Sequence, residues 1–314
     1  MKVLVTGASG FVGRELCACL ERSGHTVIRA MRRPGPAIGV VIGNIDGGTS
    51  WAAALSDAPD AVLHLAARVH VMGAEGTDAA RLYRQVNSEG TTNLARQSAA
   101  AGVKRFVFLS TIKVLGEGGN RPYKADDPAA PCGPYAVSKW QAEQGLLEIA
   151  GRTGMEAVIL RPPLVYGPGV GANFLRLMQA VDAGWPLPFA AIRNRRSLIH
   201  VGNLVDAIVA CLTQAKAAGK TFMVSDDEDV STPELVRRIA SSLGRRPRLF
   251  PVPPAGFRLC GQLLGKGAAI ERLLGSLTAD CAPIRTELGW APPHTMQDGL
   301  AIAAEWYRKI KASS

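Results

Sequence analysis

The sequence predicts an α/β fold, a parallel sheet covered by helices on both faces. Three features of the chain point to it. Short runs rich in Val, Ile, Leu and Phe recur through the first half without polar alternation, as strands buried on both faces require. Stretches with the apolar period of helices separate these runs. A glycine triplet sits where the first run passes into the first helical stretch.

The strands are read, in order, as "KVLVTG" (2–7), "TVIRAM" (26–31), "GVVIGN" (39–44), "AVLHLAA" (61–67), "RFVFLS" (105–110) and "EAVILRP" (156–162). Amphipathic helical segments fall around 11–23, 50–57, 78–101 and 135–152. Their alternation with the strands is the pattern of successive βαβ units. Beyond 167 the pattern loosens into Pro-rich loops and helices, with a strand pair expected near 197–201 and 221–225. The expected organisation is a larger domain from 1–166 plus about 197–225, interleaved with a smaller lobe from about 167–196 and 226–314.

Composition narrows the class. The chain of 314 residues is 47% hydrophobic and 20% charged, ordinary for a globular protein. No run of 18 apolar residues exists, and "MKVLVTGASG" reads as a strand and turn, so neither a membrane span nor a signal peptide is expected. The six cysteines (17, 19, 132, 211, 260 and 281) form no CxxC and no zinc-like spacing with His. A metal-free, cytoplasmic protein without membrane partners is the expectation. Net charge is +10, from 26 Arg and 10 Lys against 26 acidic residues. The basic clusters lack interleaved aromatics, which favours a phosphate-bearing small molecule over nucleic acid.

"VTGASGFVG" places Gly7, Gly10 and Gly13 between the first strand and the first helix. Glycines there permit a tight turn and let backbone N–H groups approach a pyrophosphate at the helix N-terminus. In a βαβ context this is the dinucleotide cradle of a Rossmann-type, doubly wound sheet. Such folds commonly present an acidic residue to the ribose 2′-hydroxyl of NAD at the end of the second strand. Here the chain reads "IRAMRRPGP", with Met31 or a neighbour in the acidic place and Arg32 and Arg33 next. Two arginines without a carboxylate favour a 2′-phosphate, so NADP(H) is expected over NAD(H). The alternative is a pair of solvated loop arginines.

"PYAVSKW" places Tyr135 and Lys139 four residues apart, on one face of a helix. An ammonium about 4 Å from a phenol, at an effective dielectric of about 20, is worth roughly 4 kcal/mol, or about three pKa units. That shift makes a tyrosine an acid–base group near neutral pH.

The glycine cradle, "HLAA" (64–67), "LSTIKVLGE" (109–117), "YAVSK", "RPPLVYGPG" (161–169), "GANF" (171–174), "RRSLIHVGNLVDA" (195–207) and "LGWAP" (288–292) together resemble the extended short-chain dehydrogenase/reductases, of the nucleotide-sugar epimerase/dehydratase type. The resemblance covers the whole chain. It implies a catalytic set of Thr111, Tyr135 and Lys139, with Ser110 as the neighbouring hydroxyl; Thr111 stands where the family usually has Ser. It implies a cofactor site of Gly7, Ser9, Gly10, Phe11, Val12, Gly13, Arg32, Arg33, Asn44 and Ile45, with Leu65, Ala66 and Ala67 along the groove. Asn87, Ser110, Tyr135, Lys139 and Pro162 complete it. By the same resemblance Asn87 braces the central helix and strand. Asn173 with the backbone at Phe174, and Arg196, hold a nucleotide diphosphate; Pro188 and Phe189 stack on the nucleobase. Lys113 meets a substrate oxygen or phosphate, or is a solvated loop lysine.

The implied activity is chemistry at C4 of a UDP-hexose or UDP-N-acetylhexosamine through a 4-keto species. "STIKVLGE" is similar to the bacterial branch that serves surface polysaccharide, and Arg32–Arg33 tilt the expectation to an NADPH-dependent 4-ketoreductase. The alternatives are a 4-epimerase with tightly bound NAD and, in a different class, a catalytically silent dinucleotide-binding sensor. A homodimer, paired through the 78–101 and 135–152 helices, is implied as well.

Overall fold

The computed structural model describes residues 1–35, 38–69 and 76–312. The first half forms β1 (Lys2–Thr6), α1 (Phe11–Arg22), β2 (Thr26–Met31), β3 (Val40–Val41), α2 (Ala52–Leu55), β4 (Ala61–His64), α3 (Gly76–Tyr83), α4 (Gly90–Ala100), β5 (Arg105–Leu109), α5 (Gly133–Thr153) and β6 (Glu156–Arg161). The second half adds β7 (Leu164–Tyr166), α6 (Ala172–Asp182), β8 (Arg196–His200), α7 (Val201–Thr213), β9 (Thr221–Met223), β10 (Asp229–Val230), α8 (Thr232–Leu243), α9 (Pro254–Leu263), α10 (Gly267–Leu274), α11 (Ala282–Leu288) and α12 (Met296–Ala312).

The large sheet runs β3-β2-β1-β4-β5-β6-β9, parallel throughout. Its order reverses at β1, so a crevice opens between β1 and β4 at the carboxyl ends of the strands. Successive residues of β1 point to opposite faces. Val3 and Val5 pack with Leu16 and Leu20 of α1 and Leu204 and Ile208 of α7, while Leu4 packs with Trp51, Leu94, Phe106 and Leu146 on the side of α4 and α5. A three-stranded sheet, β10-β8-β7, lies apart from it and shares a third core with α6, α8 and α12, including Tyr166, Phe174, Met178, Val236 and Leu300.

Three expectations are corrected. The strand read at 39–44 contracts to Val40–Val41. The helix read over 78–101 is interrupted: a π-helical stretch at Arg84–Glu89 joins α3 to α4, and Asn87 sits in it. The strands near 197–201 and 221–225 exist but do not pair. The intervening α7 carries the chain across, so β9 adds in parallel to β6 while β8 lies between β7 and β10.

Candidate active site

Gly7 and Gly13 stand where backbone segments approach closely. Gly7 has φ +70°, and a Cβ there would lie 2.8 Å from the Ala66 nitrogen; a Cβ on Gly13 would lie 2.1 Å from the Gly7 oxygen. Only glycine allows β1, β4 and α1 to converge so tightly. Gly10 caps α1 without a side chain, and its N–H donates to the Gly7 carbonyl at 2.9 Å. The N-terminal end of α1 thus faces a cleft of about 850 Å³, walled by Gly7, Ser9, Gly10, Phe11, Val12 and Gly13. This cradle fits a dinucleotide pyrophosphate, for which backbone N–H groups at a helix N-terminus are the natural partners.

The rest of the wall comes from the ends of neighbouring strands. Arg32, Asn44 and Ile45 follow β2 and β3; Leu65, Ala66 and Ala67 follow β4; Ser110 follows β5; Tyr135 and Lys139 project from α5. Arg33, Asn87, Pro162 and Thr111 do not line the cleft. Arg33 is exposed. Pro162 contributes its carbonyl, which accepts from the Ile112 N–H at 2.9 Å and ties the end of β6 to the turn after β5.

Asn87 is fully buried and acts as a brace. Its Oδ1 accepts from the Arg68 N–H at 2.7 Å, and its Nδ2 donates to the Arg68 carbonyl and the Ser138 hydroxyl at 3.0 Å each. Ser138 Oγ donates in turn to the Tyr135 carbonyl at 2.7 Å. A second chain lies beneath. Thr91 Oγ1 donates to the Asn87 carbonyl at 2.6 Å, so it accepts from His64 Nε2 at 2.8 Å. His64 Nδ1 then accepts from Thr6 Oγ1 at 2.6 Å, and the Ala66 N–H donates to Thr6 Oγ1 at 3.2 Å. The network selects the neutral Nε2–H tautomer. Burial, with the nearby Lys139 charge, lowers His64 to about 3.

Lys139 is almost wholly buried, its Nζ donating to the Leu109 carbonyl at 2.7 Å and lying 3.9 Å from the Phe108 ring centroid. Burial pulls it down to about 7, opposed by the Glu143 carboxylate. Tyr135 departs from the sequence expectation: burial first, and the Tyr83 phenol second, push its hydroxyl up to about 12. Its ring meets that of Tyr83 edge-on at 6.0 Å. Desolvation of the phenol sets the direction, while the Lys139 ammonium is hydrogen-bonded to the Leu109 carbonyl.

The two adjacent hydroxyls have different commitments. Ser110 Oγ donates to the Glu143 carboxylate, which also holds Arg161. Thr111 Oγ1 accepts from the Lys113 N–H at 3.3 Å, capping a 3₁₀ turn at Ile112–Leu115. Glu143 went unread in the sequence, although it stands two turns beyond Tyr135 on the face that carries Lys139. Asp46 and Arg68 also line the cleft unforeseen, each next to a motif residue that was read.

The residues assigned to substrate lie outside this cleft. Asn173 is exposed at the start of α6, whereas the Phe174 ring is buried and stacks on Tyr166 at 5.3 Å. Pro188 and Phe189 are half-buried, and Phe189 stacks on Phe257 at 6.3 Å. Arg196 Nη2 donates to the Arg272 carbonyl at 2.6 Å, while its buried Nε has no hydrogen-bond partner. Burial lowers Arg196, with Glu117 opposing, and Lys113 pairs with the same Glu117 at 3.3 Å.

Comparison with known proteins accords with this geometry. The chain is 42% identical over 310 residues to UDP-glucose 4-epimerase of Vibrio cholerae, covering 96% of this chain and 94% of that protein. It is 27% identical over 314 residues to the N-acetyl-alpha-D-glucosaminyl-diphospho-ditrans,octacis-undecaprenol 4-epimerase of Escherichia coli O157:H7, covering 95% and 92%. Among solved structures it resembles MoeE5 in complex with UDP-glucuronic acid and NAD, at TM-score 0.79 and 29% identity, covering 99% of this chain and 100% of that one. The model of the NAD dependent epimerase/dehydratase family matches residues 3–225, and with the cradle and the Tyr135–Lys139 pair in one cleft, the chain belongs to that family.

Proposed function

We propose that the protein is a nucleotide-sugar 4-epimerase, acting on a UDP-hexose or UDP-N-acetylhexosamine through a 4-keto species. The observation that carries the reading is the convergence of Tyr135, Lys139 and Ser110 on the glycine cradle within one cleft. The Vibrio cholerae relative supports the epimerase over the reductase that Arg32 and Arg33 suggested.

A nicotinamide coenzyme, when bound, supplies the acceptor and donor of hydride. The chain's own residues handle the proton and the positioning. The protonated Tyr135 phenol is the acid that delivers a proton to O4 in the reductive direction. In the oxidative direction it takes that proton back, with Lys139 one turn away stabilising the phenolate by charge. Ser110 and Thr111 follow β5, where a hydroxyl orients O4. Arg196, with its unpartnered buried Nε, suits a diphosphate oxygen on the second wall, beside Lys113, Asn173 and Phe174. Pro188 and Phe189 offer an apolar seat for the base. In this reading residues 1–166 with about 197–225 hold the coenzyme, and about 167–196 with 226–314 hold the nucleotide sugar, β7 and β8 forming the seam.

The test is incubation with UDP-glucose and with UDP-N-acetylglucosamine, followed by separation of the 4-epimers and identification of the nucleotide released on denaturation. Epimer formation with released NAD is expected. NADPH consumption with a UDP-4-keto sugar and no epimerisation would make the reductase the better assignment. That second reading rests on Arg32 lining the cleft with Met31 at the strand end. No turnover of any such sugar would leave the sensor.

The reading includes a homodimer. Among apolar residues of the 78–101 and 135–152 helices, Leu94 and Leu146 are buried in the core and Leu82 and Val86 line the cleft, whereas Leu147, with Val137 on the same helix, is exposed on α5. Light scattering that gives a monomer at micromolar concentration would exclude it.

A further inference from the structure

The α9–α10 hairpin stands out from the body of the protein. Its helices pack chiefly on each other, and a Cβ on Gly261 would lie 2.6 Å from Ile270 Cγ1. Gly261 is the one buried residue of α9, and α10 has none. Leu259, Leu263 and Leu264 are 59%, 79% and 70% exposed, a level that isolated surface leucines rarely reach together. The neighbouring ladder adds aromatics: the Phe250 N–H donates to the Leu187 carbonyl at 3.0 Å, and Phe250 and Trp185 are 43% and 65% exposed.

The segment around this apolar face is predominantly basic, although Arg258 pairs with Glu271 at 2.8 Å and Arg245 with Asp182 at 3.0 Å. Between 245 and 275 the chain carries six basic residues (Arg245, Arg246, Arg248, Arg258, Lys266 and Arg272) and a single acidic one, Glu271. We propose that the α9–α10 hairpin is a membrane-surface contact, seating Leu259, Leu263 and Leu264 at the headgroup boundary of an anionic lipid bilayer. Leu, Phe and Trp beside Lys and Arg are the composition of helices that lie in that boundary. Anionic headgroups neutralise the basic rim. A second copy of the chain suits the face less well, because a two-fold contact sets the same basic rim against itself. At ten residues α9 is too short to cross a bilayer, and among the described residues no helix is long and apolar enough to do so. The contact is therefore superficial. The hairpin also carries Phe257 against Phe189 and the Arg272 carbonyl against Arg196, so the seated face adjoins the second wall of the site.

The experiment is co-sedimentation of the full chain with vesicles of phosphatidylcholine alone and with vesicles that also contain phosphatidylglycerol. Binding is expected only to the second, weakening as salt is raised. The combined variant Leu259→Ser/Leu263→Ser/Leu264→Ser should lower the partition coefficient at least about tenfold. Arg246→Glu/Lys266→Glu should remove the preference for phosphatidylglycerol. Unchanged coenzyme titration and circular dichroism identify variants that remain folded. Failure of the parent chain to bind, or binding unaffected by the serine substitutions, overturns the proposal. So does a lipid-free dimer that the serine substitutions dissociate, which would make a second copy the occupant.

Discussion

Arg161 grips Glu143 at two points in the protein interior, Nη2 to Oε2 at 2.6 Å and Nε to Oε1 at 3.1 Å. The pair does more than join β6 to α5. Glu143 accepts from Ser110 at the end of β5, and Arg161 Nη1 donates to the Ala125 carbonyl at 2.8 Å, so four segments meet beneath the reacting face. Removing one charge leaves the other buried and uncompensated, which typically costs about 3–5 kcal/mol. Glu143→Gln should therefore lower unfolding stability by about that much in urea titration. The double change Glu143→Leu/Arg161→Met should cost less than either single one, since it leaves no lone charge. A Glu143→Gln protein as stable as the parent would show the pair to be energetically neutral.

Tyr135→Phe keeps the ring that packs edge-on against Tyr83 and deletes the hydroxyl. Turnover should fall by about 10²–10⁴-fold, the usual contribution of a general acid–base group. Coenzyme affinity should change little. A decrease of less than about fivefold in turnover would remove Tyr135 from the chemistry.

His64 predicts an acid-sensitive fold. Its folded value of about 3 lies below the ordinary 6.5 because burial opposes the charged ring. Between these values the unfolded chain binds the extra proton, so stability falls as pH drops from about 6.5 towards 3, by about 1.4 kcal/mol per unit at the steepest. His200, lowered to about 4 by burial and by His294, adds a loss of the same sign. Lys139, at about 7 against 10.5 unfolded, acts in another window: stability rises from about pH 7 to 10.5, and its contribution is flat below. His64→Gln should consequently show a shallower fall in thermal midpoint between pH 6.5 and 5 than the parent does. Parallel profiles would mean that His64 takes up its proton without cost.

The parts of the site legible in the sequence are those that local spacing determines. Gly7, Gly10 and Gly13 act within one strand–helix turn, and Tyr135 and Lys139 lie one helical turn apart. Where two distant segments had to meet, the sequence was silent. Ser110 and Thr111 are neighbours on a strand end and so face different ways. Which one meets the cleft depends on how β5 sits between β4 and β6. The short β3 and the interrupted α3–α4 helix were not legible either. A Cβ on Gly90 would lie 2.6 Å from Ile45 Cγ2, a long-range contact that no periodicity records. Burial was equally hidden: the i, i+4 spacing suggested a lowered phenol, whereas desolvation raised Tyr135.

Arg32 and Arg33 were read as a pair, and the structure separates them. Both are exposed, but only Arg32 lines the cleft, which makes Arg32 the candidate for discrimination at the ribose 2′ position, with Met31 offering no side-chain oxygen to a 2′-hydroxyl. Charge-assisted hydrogen bonds to a 2′-phosphate are worth roughly 1.5–3 kcal/mol each, and 1.4 kcal/mol is about tenfold in affinity. On the reductase reading, in which Arg32 makes one such bond, NADPH should bind at least about tenfold more tightly than NADH. Arg32→Ala should then abolish most of that preference, while Arg33→Ala leaves it within about twofold, as expected of a solvent-screened charge that does not line the cleft. Direct titration of the apoprotein and both variants with the two reduced nucleotides decides the matter. The solved relative MoeE5 carries NAD, so the contrary result has a precedent. Equal or tighter NADH binding by the parent, or purification with NAD held firmly, would assign Arg32 to the solvated rim and strengthen the epimerase, whose coenzyme must be reoxidised in place on every turnover.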